Sequence, residues 1–294
     1  MMRPAVAAWV RGVLGPVSLL TDHSRQVGRV VEVADARGIP WVVKTVPTAT
    51  MFGNEVRAYT RWVPRFADQA PALRGADPDL RTLILQRLPG RTEWSFDPRV
   101  HRDAGRLLAR IHGAAPPSAT GPGLAEASSD LLDRALRRLP DRTLVSHREL
   151  EFVSASIELL QGHAALPRVP CHGDYGGHNW LRGAGRMTVI DFSGATWNAA
   201  AADFARLFIG PWWERPDLSN AFLDGYGRGL TDAELDAVRL QLPVLALMVL
   251  SHGHRRGNPE MTRRGHRRLA ALMAGRNFIR RAPWARRLAR RALS

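Results

Sequence analysis

The chain has 294 residues, 45% of them apolar, enough to bury one large core or two smaller ones. A single cysteine, Cys171, rules out an intrachain disulfide and points to a reducing compartment, the cytoplasm. Arg11 interrupts the apolar opening, and the later apolar run Leu242 to Leu250 is about half a membrane span, so neither a secretion leader nor a spanning helix is expected.

Net charge is +15, and it is unevenly spread. Residues 255–294 hold 13 arginines against the single Glu260, so this tail carries +12 and everything before it only +3. Lys44 is the only lysine in the chain; the other 41 basic residues are arginine. A guanidinium is a broad planar fork and an ammonium a compact point charge, so the one retained lysine marks a place where compactness matters.

In chain order, Val17 to Leu20, Arg29 to Ala34 and Trp41 to Val46 read as short strands separated by polar and glycine-containing turns. Two successive hairpins follow, with Lys44 on the third strand and Val42, Lys44 and Val46 on one face. A helix is expected over Asn54 to Val63, with Glu55 in its first turn. Another strand, Leu83 to Gln86, runs into Arg87-Leu88-Pro89-Gly90, where proline and glycine end both periodicities. The division is placed there: 1–88 as a first lobe, and 89–294 as a second, ending in the basic stretch 276–294.

Beyond it the period turns helical. Asp97-Pro98 caps a helix whose apolar stripe, Val100, Ala104, Leu107, Leu108 and Ile111, ends at Gly113. Further helices are expected over Leu131 to Leu139, Ser146 to Leu160, Ala200 to Phe208, Asp217 to Tyr226, Asp232 to Leu250 and Met261 to Met273. Between them lies a loop-rich region, Pro170 to Thr196, with one strand, Met187 to Ile190.

That region carries the chemistry: Cys171-His172-Gly173-Asp174-Tyr175-Gly176-Gly177-His178-Asn179, then Val189-Ile190-Asp191-Phe192-Ser193. Phosphoryl transfer needs a carboxylate to accept a hydroxyl proton and oxygen ligands for Mg²⁺, and Asp174, Asn179 and Asp191 supply these types in order. With the upstream Val42-Val43-Lys44 and the helical Glu55, the pattern resembles the aminoglycoside phosphotransferase family, which includes choline kinases, over roughly Val17 to Phe208 by order of motifs.

The resemblance implies an α+β, bilobal, protein-kinase-like fold: an antiparallel sheet lobe with one helix, then a mainly helical lobe. It implies a catalytic base at Asp174, Mg²⁺ ligands at Asn179 and Asp191, and contact between Lys44 and the α/β-phosphates of ATP or GTP, with Glu55 as the lysine's partner. The backbone around Gln86, Arg87 and Leu88 would receive the base of the nucleotide. His172 would orient the catalytic loop, and Asp203, in Ala202-Asp203-Phe204-Ala205, would brace it. One departure is the first turn, which lacks G-x-G-x-x-G and leaves Ser24 and backbone amides to cover the phosphates.

The acceptor is expected to be a small hydroxylated molecule. Polycationic aminoglycosides need carboxylates around them, whereas the C-terminal segment here is strongly basic, which favours a neutral or anionic antibiotic, for example of nucleoside type. A metabolite kinase of the same fold and a catalytically silent binding protein are the alternatives. Trp197, Trp212, Trp213 and Tyr226 are candidate flat contacts for the acceptor. Adjacent Trp212 and Trp213 cannot both face one core. The Arg-rich tail reads as a solvated terminus rather than a clamp for nucleic acid or anionic lipid.

Overall fold

A computed structural model describes residues 2–23, 29–92, 95–139, 144–183 and 185–276. The chain divides into two compact units, one formed by Met1–Trp94 with His172–Thr196 and the other by Ser95–Cys171 with Trp197–Ser294. The loop-rich region thus groups with the N-terminal sheet. No described helix is long and apolar enough to cross a membrane.

The first unit opens with a helix, α1 (Pro4–Leu14), that strand propensity alone does not announce. Pro4 starts it, and Val6 and Val10, four residues apart, fall on one face. That face packs with Val31, Val33, Val43 and Ile84 into a buried apolar cluster on one side of the sheet. The sheet has the order β1-β2-β3-β5-β4, from β1 (Val17–Asp22), β2 (Arg29–Asp35), β3 (Pro40–Thr45), β4 (Leu73–Asp77) and β5 (Thr82–Gln86). All its pairings are antiparallel, with Val30 opposite Lys44 and Lys44 opposite Leu83. Because side chains alternate, Val43 faces α1 and Lys44 faces the other way.

Helix α2 (Ala49–Arg57) begins earlier than expected, at the Thr48 cap, whose hydroxyl accepts the Met51 amide at 3.2 Å. Glu55 is therefore late in the helix and not in its first turn. Gly53 sits inside the helix. A π turn, Ala58–Trp62, and a 3₁₀ turn, Val63–Phe66, continue it.

The expected single strand of the loop-rich region is one of several. A three-stranded sheet orders β6 (Arg91–Thr92), β8 (Trp180–Gly183) and β9 (Arg186–Val189), and β7 (Arg168–Cys171) pairs with β10 (Thr196–Ala199). These strands have four residues or fewer, too short for a period-two pattern to stand out.

The second unit is helical: α3 (Pro98–His112), α4 (Leu124–Arg137), α5 (His147–Leu159), α6 (Ala201–Ile209), α7 (Pro216–Tyr226), α8 (Asp232–Arg255) and α9 (Pro259–Met273). Caps set several starts: Asp97 holds the Arg99 amide at 2.8 Å, and Ser146 and Thr231 form capping boxes with Glu149 and Glu234. Helices α3 and α7 approach so closely that a Cβ on Gly105 would collide with the Phe222 carbonyl and one on Gly225 with the Arg102 carbonyl.

Candidate active site

The site assembles within the first unit, from β3, α2 and the two loops around the short sheet. Lys44 projects from β3 on the face opposite α1, and its Nζ donates to Glu55 Oε1 at 2.7 Å and to Asp191 Oδ1 at 2.8 Å. Three residues far apart in sequence thereby share one ammonium. The lysine side chain is 12% exposed, Glu55 is fully buried and Asp191 is 40% exposed.

One ammonium between two carboxylates leaves a charge imbalance, and burial decides where it falls. Burial raises the Glu55 carboxyl to about 7, with the nearby Asp191 charge adding to the effect and Lys44 opposing it. For Asp191, burial pushes upward too, but Lys44 and the Ser193 donors outweigh it and hold the carboxyl below its ordinary value. For Lys44, burial pulls downward, and the two carboxylates more than offset it. The surroundings thus favour the charged forms of Lys44 and Asp191.

Asp191 adopts a left-handed conformation, φ 66° and ψ 74°, which is rare for a residue with a side chain and costs on the order of 1–3 kcal/mol. Its surroundings impose it. Phe192 is fully buried against Tyr59 at 5.3 Å, Phe66 at 6.3 Å and His172 at 4.8 Å between ring centroids. Ser193 donates to Asp191 Oδ1 from its amide at 3.2 Å and from its hydroxyl at 2.6 Å. With Lys44, three donors converge on that one oxygen.

The loop Cys171 to Asn179 is built around His172. Its Nδ1 accepts the Asp174 amide at 3.3 Å, so the proton lies on Nε2, which donates to the Ile190 carbonyl at 3.0 Å. Nε2 ties the loop to the segment before Asp191, and Nδ1 fixes the turn within the loop itself. Gly173 has φ +77°, and a Cβ there would collide with the Gly194 carbonyl, so only glycine fits. The Asn179 carbonyl accepts the Ile190 amide at 3.0 Å, which places Asn179 beside the approach to Asp191.

Asn179 is buried, and its Nδ2 donates to the Asp174 carbonyl at 2.9 Å. That orients the amide and leaves Oδ1 as its acceptor atom. A carboxylate and an amide oxygen, held by adjoining loops, are hard ligands of the kind Mg²⁺ takes, so the residues present fit that ion. Asp174 is half-exposed, and His178 Nε2 lies 3.0 Å from its Oδ2. His178 and Ser193 are the site residues that motif reading passes over, because spacing alone does not reveal that a histidine before Asn179 turns back onto Asp174.

Gln86 ends β5, where its amide donates to the Ala72 carbonyl at 2.9 Å. Leu88 follows in the irregular segment, and Arg87 Nε binds Glu32 Oε2 at 2.8 Å. Ser24 and nearly all of the 276–294 tail lie outside the described residues.

The remaining candidates belong to the second unit. Asp203 is fully buried on α6, with Oδ2 at 3.2 Å from His112 Nε2. The Tyr226 hydroxyl lies 2.8 Å from His112 Nδ1, and burial pushes it up to about 12. Cys171 lies beside this group as a buried thiol that donates to the Asn198 carbonyl at 3.3 Å. Trp212 corrects an expectation: it is a core residue and not an acceptor contact. Its Nε1 donates to His101 Nδ1 at 3.1 Å, and its ring packs edge-on to Phe208 and Phe222, both at 4.9 Å. Trp213, its neighbour, is partly exposed under the Arg268 guanidinium, 5.4 Å from the ring centroid, and Trp197 is also partly exposed.

The sequence matches the family profile described as the phosphotransferase enzyme family over residues 21–240. A search of curated proteins finds no match. Among solved structures, a thermostable mutant of aminoglycoside phosphotransferase APH(4)-Ia is similar, at TM-score 0.67 and 17% identity, covering 91% of this chain and 98% of that one. Another structure of such a mutant is a ternary complex with ADP and hygromycin B. Choline kinase LicA from Streptococcus pneumoniae aligns at TM-score 0.65 and 14% identity over 91% of this chain and 98% of its own. A choline/ethanolamine kinase family protein from Mesorhizobium loti aligns at 0.58 and 18%, over 92% and 94%. These likenesses show the protein-kinase-like fold, and with the profile spanning most of the chain, the protein belongs to the phosphotransferase enzyme family and transfers a phosphoryl group to a hydroxyl acceptor.

Proposed function

We propose that the protein is an Mg²⁺-dependent kinase that uses ATP, or GTP in its place, to phosphorylate a hydroxyl of a small molecule, a neutral or anionic antibiotic. The observation that carries the reading is the Lys44 ammonium, bound at once by Glu55 and Asp191. A lone lysine in an arginine-rich chain is explained if a compact cation must reach phosphate oxygens from a buried position. The ADP bound by APH(4)-Ia supports the choice of an adenine nucleotide.

In this reading Asp174 is the general base. It takes the proton as the acceptor oxygen bonds to the γ-phosphorus and the bond to the β–γ bridging oxygen breaks. Lys44, kept in place by Glu55, contacts the α/β-phosphates, Ser24 and nearby amides cover them, and the backbone at Gln86, Arg87 and Leu88 receives the base. Asn179 and Asp191 would hold Mg²⁺, which when bound would neutralise charge on the phosphates. His172 and Asp203 support the loop, and Trp197, Trp213 and Tyr226 are the remaining acceptor contacts. The single free cysteine supports a cytoplasmic location.

The charge of the second unit supports a neutral or anionic acceptor. Burial lowers the pKa values of Arg134 and Arg138; at Arg134 the nearby Asp130 and Asp133 oppose this while Arg206 and Arg137 add to it, and at Arg138 repulsion from Arg255, Arg134 and Arg137 adds to it. The excess of arginine there disfavours a polycation.

The test is a mass-shift screen of hydroxylated antibiotics and metabolites with Mg-ATP, run beside Asp174→Asn. A phosphorylated neutral or anionic antibiotic, formed by the native protein alone, is the expected result. Preferred turnover of kanamycin-like polycations would refute the charge argument, and a metabolite product the antibiotic assignment. Full activity in Asp174→Asn would remove that residue as base.

A further inference from the structure

We propose that His178 is a positioning residue for phosphoryl transfer, holding the Asp174 carboxylate in the rotation from which it accepts the acceptor's proton. The inference rests on Asp174 being the base. An ionised carboxylate only accepts, so across the 3.0 Å contact His178 Nε2 must be the donor and Asp174 Oδ2 the acceptor. Asn179 Nδ2 reaches the same oxygen at 3.4 Å. Two N–H groups from adjacent residues therefore converge on Oδ2. An aspartate carboxylate otherwise turns in a broad, two-fold well, in which its oxygens exchange places. Donors fixed on Oδ2 end that exchange and turn the other oxygen away from them.

The approach is built by the loop. Asp174 and His178 are four residues apart but not in a helix, and the turn between them closes with the Asn179 amide donating to the Gly176 carbonyl at 2.8 Å. A Cβ on Gly176 would stand 3.1 Å from His178 Cε1, so the bare glycine gives the imidazole room to lie against the turn. Stability does not account for the contact. The two side chains are 43% and 46% exposed, and exposed ion pairs contribute little to folding. Orientation of a reacting group is what such a contact can change, because small misplacements of a catalytic atom lower rates steeply.

The experiment compares His178→Leu, which removes the donor, with His178→Gln, which restores an N–H at similar reach. Rates are read with Mg-ATP and water as acceptor, and with the best substrate of the screen; ATP affinity and melting temperature are measured alongside. In His178→Leu, kcat is expected to fall about 10- to 50-fold, the scale of one lost hydrogen bond to a charged group, with KM for ATP within about twofold of native. His178→Gln should recover to within about threefold, and both variants should melt with the native protein. Native kcat in His178→Leu, or no recovery in His178→Gln at an unchanged melting temperature, overturns the proposal. Asp174→Asn separates the two claims: if it is inactive while His178→Leu is unimpaired, only the positioning role falls, whereas an active Asp174→Asn removes the base itself.

Discussion

Lys44 Nζ lies 2.8 Å from Asp191 Oδ1, a contact between residues 147 positions apart that joins β3 to the loop after β9. The same nitrogen is 2.7 Å from Glu55 Oε1 in a position almost closed to solvent. The space is thus shaped around a tetrahedral point charge held by two carboxylate oxygens.

Lys44→Arg should therefore fail although it keeps the charge. The guanidinium is wider, planar and unable to place one nitrogen between both oxygens, so turnover with Mg-ATP is expected to drop at least about 100-fold while far-ultraviolet circular dichroism stays native. Steady-state kinetics of the purified variant decide the matter. Near-native turnover would show that the retention of lysine is accidental.

His101 makes stability depend on pH. Its Nδ1 accepts the Trp212 indole N–H at 3.1 Å and its Nε2 donates to the Ser95 carbonyl at 3.1 Å, so the folded ring is neutral with both nitrogens satisfied. Burial lowers its pKa to about 4, from 6.5 when unfolded. The folded state then binds fewer protons, so this stabilisation is present above pH 6.5 and is lost as pH falls from there towards 4. The full loss is of the order of 3 kcal/mol. Urea titrations at several pH values should show the decline in the native protein and a shallower one in His101→Gln, which keeps a donor and an acceptor but does not titrate. Parallel slopes would disprove the assignment.

His112 links two otherwise costly groups in the second unit: the Tyr226 hydroxyl donates to Nδ1, and Nε2 donates to the fully buried Asp203. Replacing it with leucine strips a donor from a buried carboxylate and should destabilise by about 2–4 kcal/mol, whereas Tyr226→Phe removes one neutral hydrogen bond and should cost about 1 kcal/mol. Equilibrium denaturation measures both. A His112→Leu loss no larger than that of Tyr226→Phe would mean that Asp203 does not depend on this partner.

Much of the architecture is legible in local pattern. Alternation in Val42 to Val46 assigns Lys44 to a strand face, and the Asp97-Pro98 signal marks a helix start, because caps and periodicity are properties of neighbouring residues. Elements that owe their form to distant partners are not. Helix α1 rests on the sheet cluster around Val31 and Ile84, and the short strands β8 and β9 hold by pairing with each other and with β6.

The sequence by itself determined the donor types, their order, and that one ammonium stands apart from 41 guanidinium groups. Residue types and spacings along the backbone carry that information directly. Only tertiary structure decided that Lys44 binds both carboxylates, that Asp191 sits in a left-handed turn held by Ser193 and Phe192, that His178 folds back onto Asp174, and that Trp212 is enclosed while Trp213 is not. Each of those outcomes depends on burial and on partners brought together by folding, which cost or stabilise a group by amounts no linear pattern encodes.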